Sequence, residues 1–293
     1  MTFVVDCDGI SVKDYLTRRQ NVSHRLLVRL KQSGGIFCNG QNVWVCHICR
    51  RGDEIKLRFP QEVSEGLPQE MIPLDILYED AALLAINKPP GMPPHPSFRH
   101  AEGTAAGAVA GYYARRGIQT QVRALGRLDR NTSGVMVFGK NPLVQERMVE
   151  QQRSGGIQKV YLAVAEGRFG QAKGAVEAPI GRKEGSMIER CVAESGKPAC
   201  TKYEVLCQNG NYTLLKLQPV TGRTHQLRVH MAYLGHPLAG DTLYGGSGAQ
   251  IARHALHAYE LHLAHPLTEQ MMCLRAPVPQ DMRIFIDKVG LVW

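Results

Sequence analysis

From Leu74 onward the chain is dominated by short apolar runs of strand length, each closed by a turn: DILYED, LLAIN, GVMVFGK, KVYLAVAEG and YTLLKLQPV. Side chains in a strand alternate between two faces, so runs of this length with this punctuation predict a mainly antiparallel, mixed β-sheet. Helices interrupt the pattern at two places. Thr104 is placed to cap a helix over 104–116, and Asn141-Pro142 supplies a cap and a first-turn proline for one over 142–152. Strands outnumber helices and do not alternate with them, which predicts an α+β fold and excludes a wound βαβ sheet.

The N-terminal segment is organised differently. Ser11 and Ser23 precede two short helical patterns that end at Gly34-Gly35. IFC, an Asn39-Gly40 turn and VWVCHIC then read as a hairpin, and Arg51-Gly52-Asp53 turns the chain into IKLRF. QEVSEGLPQEMIP has the Pro, Gly and acid content of a linker. The expected division is a small N-terminal domain at 1–60, a linker at 61–72 and a larger domain at 73–293.

Charge supports a polyanionic partner. The formal net charge is +9, and Lys13, Arg18, Arg19, Arg25, Arg29 and Lys31 face a single acid, Asp14, between positions 11 and 33. Cations concentrated on two helices release counterions from a nucleic-acid backbone, although a solvated helix face has the same composition. The order of helix, basic helix, Asn-Gly hairpin and Gly-Asp turn resembles the small RNA-binding module named after ribosomal protein S-four, over roughly residues 10–58. The start, MTFVVDCDGISVKDYL, lacks a basic-then-apolar leader, and no apolar run approaches the roughly 18 residues of a membrane span. Eight scattered cysteines read as reduced thiols. These features predict a cytoplasmic chain with no membrane association, and a monomer is the default.

Candidate chemistry starts at Gly126-Arg127-Leu128-Asp129-Arg130-Asn131-Thr132-Ser133-Gly134, which feeds directly into VMVFGK. An acid between two arginines, in a tight turn before a buried strand, is rigidly held, as a nucleophilic or proton-abstracting carboxylate must be. A turn aspartate capping local N–H groups would look similar. The surrounding segments favour the chemical reading: Asn87-Lys88-Pro89-Pro90-Gly91, Lys159-Val160-Tyr161-Leu162-Ala163, Thr221-Gly222-Arg223-Thr224-His225-Gln226-Leu227-Arg228-Val229-His230 and Gly240-Asp241-Thr242-Leu243-Tyr244-Gly245. In this order and spacing they resemble the RluA family of pseudouridine synthases, over nearly all of residues 74–280. With the basic N-terminal segment, the resemblance is to the branch acting on large-subunit ribosomal RNA.

That resemblance implies roles residue by residue. Asp129 attacks C1′ of the ribose or removes the C2′ proton, and either route breaks the glycosidic bond before uracil rejoins through C5. Tyr161 packs on the base and is a candidate for the final deprotonation at C5. Arg223 pairs with the aspartate. Leu227 packs on the uracil face, and Arg127 helps fill the space left by the extruded nucleotide. Apart from the resemblance, Lys88 and Arg228 are expected as further substrate contacts, the prolyl turn placing Lys88 near RNA or a buried carboxylate. The reaction is an isomerisation that needs no cofactor, metal or nucleotide. One position departs from the family: Gly126 stands where His usually precedes Arg-Leu-Asp, which puts an imidazole contact to RNA in doubt.

Other signals carry less. Cys46-His47-Ile48-Cys49 has metal-pair spacing, but positions three apart on a strand face opposite ways, and Cys38 is the only other thiol nearby in sequence. His254, His257, His262 and His265 lack an H-E-x-x-H pattern, and Lys88 lacks a nucleotide-binding loop. Asp241 with Asp129 suggests a glycosidase pair, yet Asp241 falls in a structural turn and no aromatic ladder accompanies it. The rivals to a ribosomal RNA synthase are the same reaction on transfer RNA and a non-catalytic RNA-binding ribosome-assembly factor.

Overall fold

The computed structural model describes residues 1–292 except positions 63, 65 and 99. Positions 63 and 65 of the expected linker and residue 293, the end of the expected catalytic domain, lie outside the described residues. A ten-stranded sheet forms the centre of the molecule. Its main path runs Lys173–Glu177, Cys200–Gln208, Tyr212–Pro219, Gln158–Glu166, Leu256–Ala264, Ser133–Gly139, Leu83–Lys88 and Ile76–Glu79. Met271–Arg275 and Arg123–Ala124 pair beside it.

Neighbouring strands run antiparallel along this path except at one junction. Ser133–Gly139 and Leu256–Ala264 run parallel, with Ser133 opposite His257 and Gly134 opposite Ala258. The parallel contact is only two residue pairs long. Gly134 makes it possible: its φ is +113°, and a Cβ there would lie 2.1 Å from Ala258 O. Strand Gln158–Glu166 pairs with the other edge of Leu256–Ala264, and the register shifts between Val160 and Tyr161. A bulge of this kind re-aims the side chain beside it. Ser133, Tyr161 and Ala258 therefore meet in the middle of the sheet.

The two expected helices are present as Ala105–Arg115 and Pro142–Arg153, with Thr104 and Asn141 accepting from the N–H groups three residues on. Glu70, within the expected linker, is docked on the first of them. Its carboxylate accepts from Gly103 N at 2.5 Å and Thr104 N at 3.2 Å, and its N–H donates to Gly107 O. A carboxylate suits the positive end of a helix. Gly107 and Gly111 let the strap lie close, since a Cβ at either would fall within about 2 Å of Glu70 atoms.

At the N-terminus, Thr2–Val4, Glu54–Leu57, Ile36–Cys38 and Gln41–Asn42 form a four-stranded sheet. Helix His24–Gln32 covers it through Leu26, Leu27 and Leu30, with Ser23 as N-cap. The expected first helix is split into a short α turn, Val12–Asp14, and a π turn, Tyr15–Arg19. Asn39-Gly40 makes the expected tight turn, both residues having positive φ. The second hairpin arm is not one strand: residues 44–47 turn, with His47 N donating to Trp44 O, and only Ile48–Cys49 resumes pairing. Leu143 joins this N-terminal core, and Ser23 Oγ donates to Glu146 at 2.5 Å.

Gly134→Ala should destabilise the protein by about 3 kcal/mol or more, because strain and backbone collision act at one site. Urea denaturation followed by circular dichroism checks this; an unchanged midpoint would show that the strand junction does not depend on glycine.

Candidate active site

Leu128 is buried beneath the turn before strand Ser133–Gly139, and this anchors Asp129 at the lip while Arg127 and Arg130 face outward. The turn closes with Thr132 N donating to Asp129 O. Four successive residues after Asp129 are then held from distant parts of the chain. Lys88 Nζ donates to Arg130 O at 3.0 Å and Arg253 Nη1 donates to Asn131 O at 3.0 Å. Thr132 Oγ1 pairs with His254 Nε2 at 2.8 Å, and Ser133 Oγ with His257 Nδ1 at 2.9 Å. Arg253 is itself oriented by Asp281, at 2.6 and 2.9 Å. Each bond costs one rotamer on the clamping side chain, but the backbone next to Asp129 is left with little freedom.

The facing wall is helix Gln226–Tyr233, which starts directly after His225 in left-handed conformation, φ 57°. Gln226 fixes the preceding loop by accepting from Thr221 Oγ1 and Arg223 N and donating to Cys200 O. The first helical turn presents Leu227 and Arg228. Arg228 donates to Asp241 through Nε and Nη2, both at 2.7 Å, and through Nη1 to Asp129 Oδ2 at 3.2 Å. Burial opposes the Arg228 charge, but hydrogen bonds and attraction from Asp241, then Asp129, outweigh it and raise its pKa. Its guanidinium also lies over the Tyr244 ring, 4.9 Å from the centroid.

His225 Nε2 is 3.7 Å from the same Asp129 oxygen. Tyr244 Oη accepts from Arg190 N and lies 2.7 Å from His225 Nδ1. Donation from the hydroxyl to Nδ1 leaves the neutral ring's proton on Nε2, facing the carboxylate. Burial lowers the His225 pKa, with Asp129 pulling the other way. Tyr161 closes the floor, packed between the apolar cluster around Leu128 and Ala258 and that around Leu227. Burial, then the Asp129 charge, push its phenol up, so it stays protonated. The result is a cleft of about 170 Å³ with one carboxylate, a guanidinium bonded to it and one flat aromatic wall.

Comparison with known proteins places this arrangement. The RNA pseudouridylate synthase family profile matches residues 82–233. The chain is 45% identical over 275 residues to the uncharacterized RNA pseudouridine synthase YjbO of Bacillus subtilis, covering 93% of this chain and 97% of that one. It is 40% identical over 245 residues to ribosomal large subunit pseudouridine synthase D of Vibrio parahaemolyticus, covering 79% and 75%. Among solved structures it resembles human RNA pseudouridylate synthase domain containing 4, with TM-score 0.62 and 25% identity over 74% of this chain and 94% of that one. The chain belongs to the RNA pseudouridine synthase family. It is an isomerase acting on RNA, and the mainly antiparallel sheet expected from the sequence is the fold it shares with its structural neighbours.

In this pseudouridine synthase, Arg127, Asp129, Tyr161, Arg223, Leu227 and Arg228 all line the same cleft. Two of the roles expected from sequence change. Arg223 precedes the helix and turns away, its Nε donating to Pro198 O at 3.0 Å; the guanidinium on Asp129 is that of Arg228. Lys88 is fully buried behind the turn rather than open to substrate. Burial lowers its pKa to about 7, against which Pro89, Met92 and Arg130 carbonyls at 2.8, 2.9 and 3.0 Å each accept one ammonium proton. Sequence reasoning gave no role in the site to Tyr244, Arg253 or His254 and treated Asp241 as a turn residue. Their contacts to the cleft span 13 to 122 residues of chain and leave no local pattern. His257, His262 and His265 hydrogen-bond separate partners, Ser133, Glu260 and Asp80. At Gly126, φ is +108° and a Cβ would lie 3.8 Å from Lys159 Nζ, so the lysine flanks the side where the family's imidazole is missing.

The clamp predicts acid sensitivity. Burial lowers the His257 pKa to about 4 and that of His254 to about 2. The unfolded rings take up protons near pH 6.5 while the folded ones resist, so this stability is complete above that pH and lost as pH falls. For His257 alone the loss approaches about 3 kcal/mol by pH 4. Urea midpoints measured from pH 7.5 to 4.5 should fall, less steeply in His257→Gln; a flat profile would contradict the buried neutral rings.

Proposed function

We propose that this synthase converts uridine to pseudouridine in structured large-subunit ribosomal RNA, with Asp129 as the reacting carboxylate. The observation that carries the reading is the Asp129–Arg228 pair at 3.2 Å in a cleft shared with Tyr161 and Leu227. The cleft suits one flat ring and its sugar, not a stacked helix, so the target nucleotide must be extruded. The acid at the lip then faces the ribose, where it attacks C1′ or takes the C2′ proton. Uracil, held between Tyr161 and Leu227, turns and rejoins through C5. A protonated phenol favours packing and hydrogen-bond donation for Tyr161 over service as the base at C5.

Extrusion costs a few kcal/mol, which phosphate contacts must offset. A groove of about 1220 Å³ between the N-terminal helices and helix Pro142–Arg153 is lined by Arg19, Arg25, Arg29, Arg147 and Arg153. Lys13, Arg18 and Lys31 are exposed on the same N-terminal helical segment, although Arg18 pairs with Asp14, and Arg29 with Glu62. We assign residues 1–60 to RNA docking on this basis and 73–293 to catalysis, with Glu62 and Glu70 tying the strap between them to both parts. The ribosomal assignment draws support from the large-subunit synthase named among the relatives. No helix among the described residues is long and apolar enough to cross a membrane. A cytoplasmic monomer acting alone on RNA fits these features.

Asp129→Asn should bind ribosomal RNA with near-normal affinity and lose pseudouridine formation by on the order of 10³-fold or more. Carbodiimide-based primer extension across ribosomal and transfer RNA, from cells with and without the protein, reads the outcome. Retained modification would remove Asp129 from the chemistry, and sites confined to transfer RNA would overturn the ribosomal assignment alone.

A further inference from the structure

The Cys46-His47-Ile48-Cys49 spacing argues against a metal pair only where the segment is one continuous strand. Here it is broken. The turn at residues 44–47 leaves Cys46 exposed, while His47 and Cys49, two apart, offer their ligand atoms to one cluster. Cys38, at the end of strand Ile36–Cys38, and Asp53, just before Glu54–Leu57, approach from the neighbouring arms. One ligand atom from each of Cys38, His47, Cys49 and Asp53 lies within 4.8 Å of all the others. Sequence offered three thiols and a histidine; the choice of Cys38 and Cys49 over Cys46, the fourth donor Asp53 and the geometry that gathers them come from the fold.

We propose that these four residues form a tetrahedral zinc site that clips the N-terminal hairpin. Two thiolates, an imidazole and a carboxylate oxygen match a borderline-soft, four-coordinate cation and exclude magnesium or calcium, which demand oxygen shells. Metal–ligand bonds of about 2.0–2.3 Å imply donor–donor separations of about 3.3–3.8 Å, so the observed spread closes with shifts of about 1 Å. The movable donor is His47, which is exposed, whereas Cys38 and Cys49 are buried. Asp53 is already oriented, accepting from Asn39 Nδ2 at 2.8 Å and Arg50 N at 2.7 Å.

Binding is a proton-for-metal exchange: each thiol loses its proton to solvent as its sulfur takes up the ion, so two protons leave per zinc. Because thiols must lose their protons to bind, affinity should rise with pH. The clip has a structural use. The strands of this sheet are only two to four residues long, and a metal tying three of its connections compensates for a small core.

The test is Co²⁺ titration of the reduced, chelator-stripped full-length protein. Saturation at one equivalent, with thiolate-to-cobalt charge-transfer absorption and the strong visible bands of tetrahedral cobalt, is expected, and Zn²⁺ should abolish them. His47→Ala, at an exposed position, should weaken Co²⁺ binding about tenfold or more, and Cys46→Ser should leave it unchanged. A weak octahedral spectrum, binding indifferent to His47→Ala, or a Cys38–Cys49 disulfide persisting under reductant in mass spectrometry would each overturn the site.

Discussion

One guanidinium is shared by two carboxylates, and the cleft depends on that sharing. Asp241 is almost fully buried and takes two of the Arg228 nitrogens at 2.7 Å, which leaves the third aimed at Asp129. The planar fork makes this division possible; a lysine could not face both acids in fixed directions. The buried pair also constrains evolution of the site, because removing either partner leaves an unpaired charge at a cost of about 3–5 kcal/mol. Tyr244 extends the arrangement, lying under Arg228 and bonding His225, whose other nitrogen faces Asp129. The acid is therefore approached on one side by helix Gln226–Tyr233 and gripped on the other through its own turn.

That turn owes its position to the sheet. The parallel junction between Ser133–Gly139 and Leu256–Ala264 brings His254 and His257 alongside Thr132 and Ser133, which an antiparallel partner in that place would not do. The bulge before Tyr161 turns the aromatic ring toward the same point. Sheet topology, not loop flexibility, sets the distance between acid and ring, in keeping with sites built on rigid elements.

Local signals were legible in the sequence where the physics is local. Ser11, Ser23, Thr104 and Asn141 cap the helices they precede, and Asn39-Gly40 turns a hairpin. The nonamer around Asp129 pointed to the cleft, and Tyr161 and Leu227 line it. What failed was long-range or context-bound. VWVCHIC is apolar enough to be a strand throughout, but a turn at residues 44–47 interrupts it. Helix Gln226–Tyr233 begins from a left-handed histidine with no side-chain cap, so its start carried no signal and the facing arginine was assigned five residues too early. Lys88, next to two prolines, looked available to substrate, yet three carbonyls enclose it.

The central claim is that Arg228, and not Arg223, orients Asp129, the carboxylate proposed to react. Single-turnover rates and RNA affinities of Arg228→Lys and Arg223→Lys compare the two directly. The account predicts that Arg228→Lys slows the chemical step by about 10²-fold with little change in RNA binding, since an ångström of misplacement has an effect of that order. Arg223→Lys should retain the wild-type rate. A normal rate in Arg228→Lys, with the loss appearing in Arg223→Lys, would contradict it.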